Sequence, residues 1–309
     1  MHHIVILDSS TANPGDLSWD FLKKYGTLEI FGRSTPAETA ERAKNADIVI
    51  INKTVLSEST LRRLPKLKFI TLLATGFNVV DTAAADKLGI TVSNVPSYST
   101  DAVAQQTFAF ILEFANRVGI HSERVHCGEW VNCPDFSFIA APLCELKDKT
   151  IGIIGYGRIG RRVAEIAHAF GMKVIVNTAH PEKYSDAAAS FMSLDEMLPK
   201  CDFVTVHCPL TPQTDKLVNA DFVAKMKDGA FLINTSRGAE LDEHAVADAL
   251  NSGKIAAAGL DVVYTEPHHI KLYLKSYLFT TFTGVPSKNA LMLDTVQSIM
   301  RWRLSLGAQ

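Results

Sequence analysis

No apolar run in the 309 residues approaches the roughly 18 that cross a bilayer. The start shows no leader either, since Met1-His2-His3 runs straight into Ile4-Val5-Ile6-Leu7-Asp8 without a basic segment, an apolar core and a cleavage site. A cytoplasmic protein is the expectation. Five cysteines (Cys127, Cys133, Cys144, Cys201, Cys208) form an odd set with no C-x-x-C spacing, which argues against a disulfide framework and a zinc site. No metal is expected. Thirty-one basic against 33 acidic residues leave a formal charge of -2, so no broad basic field exists for nucleic acid or anionic lipid. A small-molecule substrate fits better.

What is present is apolar material, 47% of the chain with 21% charged, enough for two globular cores. Short β-branched runs at 4–8, 47–52, 68–74 and 90–93 read as strands, separated by stretches such as 36–45 and 81–88 with helical periodicity. A longer helix is expected over 101–118, able to bridge two domains. A second alternation runs through strands at 150–155, 172–177, 203–207, 230–234 and 256–261. This pattern predicts an α/β fold, with an open doubly wound parallel sheet of the Rossmann type in the second part. A last helix is expected over 287–304.

The turn Gly155-Tyr156-Gly157-Arg158-Ile159-Gly160 follows the strand-like Ile151-Gly152-Ile153-Ile154 and opens a helix over 159–170. In that context Gly155 permits the tight turn, Gly157 lets the backbone approach a pyrophosphate, and Gly160 lets helix and strand pack closely. Free N–H groups and the helix dipole face the anion. The turn is built for a nicotinamide dinucleotide. Such a motif expects an acidic residue about 20 positions on, to bind the ribose hydroxyls. Here the next strand ends in Asn177-Thr178-Ala179-His180. With Thr178 in that place, and His180 and Lys183 able to meet a phosphate beside Glu182, both NAD(H) and NADP(H) remain open.

Several stretches in order give the chain a specific resemblance to the D-isomer-specific 2-hydroxyacid dehydrogenases, and within them to the glycerate dehydrogenase (hydroxypyruvate reductase) branch. They are Asn13-Pro14-Gly15-Asp16-Leu17-Ser18-Trp19, Ala74-Thr75-Gly76-Phe77-Asn78-Val79-Val80-Asp81, Asn94-Val95-Pro96-Ser97-Tyr98-Ser99-Thr100, Pro134-Asp135-Phe136, His207-Cys208-Pro209-Leu210-Thr211, Asn234-Thr235-Ser236-Arg237-Gly238 and Ala258-Gly259-Leu260-Asp261-Val262. The match extends to about Pro267. It implies a flavodoxin-like α/β substrate domain from residues 1–100 and 285–309, with the dinucleotide domain, 101–284, inserted between them. It also implies a homodimer.

Reduction of a 2-keto acid requires a site that holds a carboxylate, polarises a ketone and supplies a proton. Arg237 follows the strand 230–234, at the carboxyl edge where ligands bind, and its planar fork suits a carboxylate and the adjacent keto oxygen. The resemblance makes it the substrate arginine. Thr75 and Gly76 match the loop whose backbone N–H groups hold the same carboxylate, and Lys53 adds a charge after the strand 47–52. Asp261 resembles the aspartate that binds the nicotinamide carboxamide. Thr107, Cys208, Pro209, Thr214, Thr235 and Ser236 fall where the family lines the cofactor, with Gly155, Gly157, Arg158, Ile159, Gly160 and Thr178. Glu266 matches the glutamate that keeps a catalytic histidine protonated.

The histidine itself is missing. Alignment on Pro286-Ser287-Lys288 puts Thr281 in its place, and His268 and His269 stand nearer in sequence to Glu266 than the family histidine does. Ile139 replaces a tryptophan usual in the branch. One gene-level account of the tail is a shifted reading frame: codons ACC-ACA-TTT for Thr280-Thr281-Phe282 contain CCA-CAT, which encodes Pro-His. An intact frame on resequencing removes it. Two functions follow: a 2-hydroxyacid dehydrogenase reducing a small 2-keto acid of the hydroxypyruvate or glyoxylate type, slowed by the lost acid, or a catalytically inactive dinucleotide-binding sensor or partner subunit.

Overall fold

The computed structural model describes residues 1–13, 15, 18–95, 99–184, 188–264 and, for the backbone alone, 277–279. The sequence-based expectations at Glu266, His268, His269, Thr281, the helix over 287–304 and the segment 285–309 lie outside these residues. The chain divides between Ser99 and Thr100 into two compact units.

The first unit is a five-stranded parallel sheet of β1 (His2–Ile6), β2 (Gly26–Ile30), β3 (Ile48–Ile51), β4 (Phe69–Leu72) and β5 (Thr91–Ser93), in the order β2-β1-β3-β4-β5. This is the flavodoxin-like strand order. β3 and β4 are buried at every position, as in parallel sheets covered on both faces. Alternation assigns the two layers: Val5, Leu7, Val49 and Ile51 enter one core, and Ile4, Ile6, Ile48 and Ile50 the other. The covering helices have local start signals. α1 (Pro36–Ala43) has proline in its first turn and a reciprocal cap between Thr35 and Glu38. Ser57 caps α2 (Glu58–Leu61), and Asp81 caps α3 (Thr82–Lys87) by accepting the Ala84 N–H at 2.9 Å.

The second unit opens with α4 (Thr100–Asn116) and α5 (Val118–His126), where one continuous helix over 101–118 was expected. Arg117 breaks it by adopting a left-handed φ of 51°. Glu113 makes the break possible, because its carboxylate reaches forward to the Gly119 N–H and caps the new helix. A seven-stranded parallel sheet follows, of β6 (Thr150–Ile154), β7 (Lys173–Asn177), β8 (Ala189–Phe191), β9 (Phe203–Val206), β10 (Ala230–Asn234), β11 (Ile255–Leu260) and β12 (Tyr277–Phe279). Its order is β8-β7-β6-β9-β10-β11-β12, the doubly wound arrangement. Between strands run α6 (Arg158–Ala169), α7 (Leu194–Met197), α8 (Ala220–Lys225) and α9 (Glu243–Ser252). α4 is anchored by stacked rings, Phe110 on Phe114, Phe114 on Phe231 and Phe231 on Phe203, which carry its apolar face onto β9 and β10.

The strands missed in the sequence, β2, β8 and β12, are edge or near-edge elements of five residues or fewer. β2 buries one position of five, so no periodic signal marks it, and its pairing with β1 defines it. Among the described residues no helix is long and apolar enough to cross a membrane, and all five cysteines are free.

Candidate active site

In the second unit the strand order reverses between β6 and β9, and the loops leaving those two strands at their carboxyl ends come together. Gly155, directly after β6, has φ +92°, and a Cβ there would meet the Cys208 nitrogen at 2.6 Å. The turn therefore packs on the His207-Cys208 backbone. Gly160, in the first turn of α6, lies so close that a Cβ would stand 2.1 Å from the Gly155 carbonyl oxygen. Gly157, at the head of α6, has nothing within 4 Å of its Cβ position. The first turn of α6 holds no acid and two arginines, Arg158 and Arg161, which oppose the helix dipole. A bound anion offsets both features. The turn thus fits a dinucleotide pyrophosphate, with open space at Gly157 where a side chain would collide with it.

The other cofactor candidates of this unit lie on adjoining elements. Thr107 on α4 is buried and its hydroxyl lies 3.2 Å from that of Thr235, just past β10. Thr214 folds its hydroxyl onto the Pro209 carbonyl at 2.7 Å, and Ser236 donates to the Cys208 carbonyl at 2.8 Å. Asp261 follows β11, its N–H on the Asn234 carbonyl at 3.0 Å. Ile159 is half-buried and packs against the core formed with α4 and α6. Thr178, one residue past β7, is half-buried, while exposed His180 faces Glu182 at 3.3 Å.

Arg237 stands in the turn after β10, exposed, with its Nη1 on the Ser236 carbonyl at 2.8 Å. Asn234 braces that turn from within, accepting the Ser236 N–H at 2.9 Å and donating to the Arg237 carbonyl at 2.8 Å. Arg237 and the glycine turn thus share one sheet edge.

Lys53, Thr75 and Gly76 belong to the first unit and sit at the carboxyl ends of β3 and β4. The Thr75 hydroxyl donates to the Val95 carbonyl at 2.9 Å, and the Thr75 carbonyl accepts from Asn94 at 2.7 Å, so the backbone here is held by local bonds. Lys53 is exposed, with its N–H fixed at 2.6 Å by the Asp8 carboxylate.

Sequence reasoning missed three residues that organise these edges. Asp8, buried after β1, also accepts the N–H groups of Asn52 and Thr54, each at 2.8 Å. Glu240 is fully buried beneath the Arg237 turn. His207 donates to or accepts from the Thr205 hydroxyl at 2.9 Å, and its Nδ1 is shielded from solvent with no partner among the described residues. Burial pushes its imidazole down to about 3, so it is neutral at neutral pH and is no ready proton donor. The position of Asp8 after an apolar strand was the one available signal. Nothing local marks Glu240 as buried or the His207 Nδ1 as shielded.

The family described as D-isomer specific 2-hydroxyacid dehydrogenase, NAD binding domain, matches residues 108–284. Among curated relatives, a hydroxypyruvate reductase of Blautia hydrogenotrophica is 44% identical over 268 residues, covering 85% of this chain and 83% of its own. The chain belongs to the D-isomer specific 2-hydroxyacid dehydrogenases. A glycerate dehydrogenase of Methylorubrum extorquens is 36% identical over 264 residues, covering 85% of this chain and 83% of its own. Among solved structures, an acyclic imino acid reductase in complex with NADPH and D-Arg superposes with a TM-score of 0.85 at 29% identity, over 98% of this chain and 97% of its own. The enzyme is therefore an oxidoreductase that uses a nicotinamide dinucleotide, and these relationships do not support the inactive alternative.

Proposed function

We propose that the enzyme reduces a small 2-keto acid of the hydroxypyruvate or glyoxylate type, with Arg237 as the substrate arginine. The observation that carries this is the exposed guanidinium of Arg237 on the same sheet edge as the glycine turn. A planar fork there can take the substrate carboxylate and draw electron density from the keto oxygen. Thr75, Gly76 and Lys53, on the 1–100 portion, supply the other contacts to the carboxylate, and Asp261 and Glu266 support the cofactor and acid-base side. When bound, the nicotinamide supplies the hydride. Neutral His207 cannot replace the family's acid, so the new alkoxide takes its proton from water.

The test is the initial rate of NADH and NADPH oxidation across hydroxypyruvate, glyoxylate and pyruvate. Thr281→His is expected to raise kcat by about 10²-fold, the low end of general acid catalysis. No turnover by either form with any of these acids would sink the reading. With Thr178 at the ribose position, NADPH is expected to be accepted beside NADH; a strict preference for NADH would refute that part.

The assembly we propose is a homodimer in the cytoplasm. α5 buries none of its residues, and Trp130, Val131, Phe136 and Ile139 after it are all more than half exposed, an apolar surface suited to a second copy. Light scattering should give twice the 33.8 kDa chain mass, and Phe136→Asp should shift it to the monomer.

A further inference from the structure

Glu240 is a carboxylate with no exposed surface and no ion pair among the described residues. Three groups approach it: the Arg237 N–H donates to Oε2 at 3.2 Å, the Cys208 thiol donates to Oε1 at 3.6 Å, and the Ser236 hydroxyl lies 3.2 Å from Oε1, its single proton shared with the nearer Cys208 carbonyl at 2.8 Å. Its own backbone is fixed as well, with the N–H on the Arg237 carbonyl at 3.3 Å and the carbonyl accepting from Val218 at 2.9 Å. Burying a carboxylate without a cation costs stability unless hydrogen bonds replace its water. Here every donor comes from two places, the Arg237 turn after β10 and the Cys208 loop after β9.

The Cys208 loop is the one against which Gly155 packs. The Arg237 guanidinium, in contrast, bonds among the described residues only to the neighbouring Ser236 carbonyl, so the backbone of its turn sets where it points. We propose that Glu240 is a positioning residue: by gathering Cys208, Ser236 and Arg237 onto one carboxylate it locks the substrate arginine to the loop that supports the dinucleotide turn. This rests on the reading of Arg237 as the substrate arginine. Burial pushes the Cys208 thiol up to about 12, so it stays a protonated donor to Glu240 at any working pH.

The test compares Glu240→Leu and Glu240→Gln with the wild type in KM for hydroxypyruvate, kcat, the Kd of NADH by fluorescence, and Tm. Leucine fills the space without an acceptor and should raise both KM and the NADH Kd by about tenfold, the scale of one lost hydrogen bond. Glutamine, whose carbonyl still accepts from the Arg237 N–H, should recover most of both. A leucine variant with wild-type KM and Kd and only a lower Tm would overturn the proposal, because a merely structural residue behaves so. Should leucine prevent folding, Ser236→Ala carries the test: removing the hydroxyl that spans Cys208 and Glu240 should raise KM and Kd several-fold, and unchanged values would also overturn it. If the wild type reduces no 2-keto acid, the reading of Arg237 fails by itself. The locking role then stands or falls on whether Glu240→Leu weakens NADH binding.

Discussion

The two units brace their ligand edges in different ways. In the first, one buried carboxylate, Asp8, gathers three consecutive backbone N–H groups where the strand order turns back between β1 and β3. In the second, the corresponding point between β6 and β9 is held by close backbone packing at Gly155 and Gly160, with Glu240 gathering one N–H, one hydroxyl and one thiol nearby. Asp8 bonds main-chain groups of fixed direction. Glu240 depends on side chains that rotate. The first edge should therefore fail all at once and the second by degrees.

Asp8→Ala is the harshest way to probe this contrast. It leaves three N–H groups without their acceptor and should cost about 3 kcal/mol of stability, with the NADH Kd of the surviving folded protein unchanged. A melting temperature equal to that of the wild type would break the comparison. Gly160→Ala comes next. Its methyl meets the Gly155 carbonyl, and overpacking strain of about 1–3 kcal/mol should weaken NADH binding by roughly 10–100-fold. Gly157→Ala, with open space around its Cβ, should leave Tm within a degree or so and lower NADH affinity alone, so equal losses of stability in the two variants would contradict the packing described for the turn.

The smallest effect concerns pH. Burial outweighs the hydrogen bonds from Arg237, Ser236 and Cys208, and holds the Glu240 carboxyl above its usual range. Between the ordinary carboxylate value and its own, the folded chain carries one more proton than the unfolded chain, so its contribution to stability is full below that window and declines as pH rises through it. Glu240→Gln should flatten that decline when Tm is followed from about pH 4 to 8. An unchanged slope would mean that the side chain is hydrated in solution.

The glycine turn and the alternation of strands were legible because each carries a local signature, fixed spacing or a β-branched run between helical stretches, and Arg237 was proposed from a residue type suited to an anion. The break at Arg117 was not, since an unbroken apolar periodicity concealed that Glu113 would cap the next helix from behind. Nor were the short edge strands, which exist through the neighbours they pair with.

By itself the sequence determined the fold class, the family and the use of a nicotinamide dinucleotide, because propensity, spacing and hydrophobic period act over a few residues. Only the tertiary structure decided that His207 is neutral and that Asp8 and Glu240 are buried. Desolvation and hydrogen-bond partners depend on residues as much as 46 positions apart, and no local pattern records them.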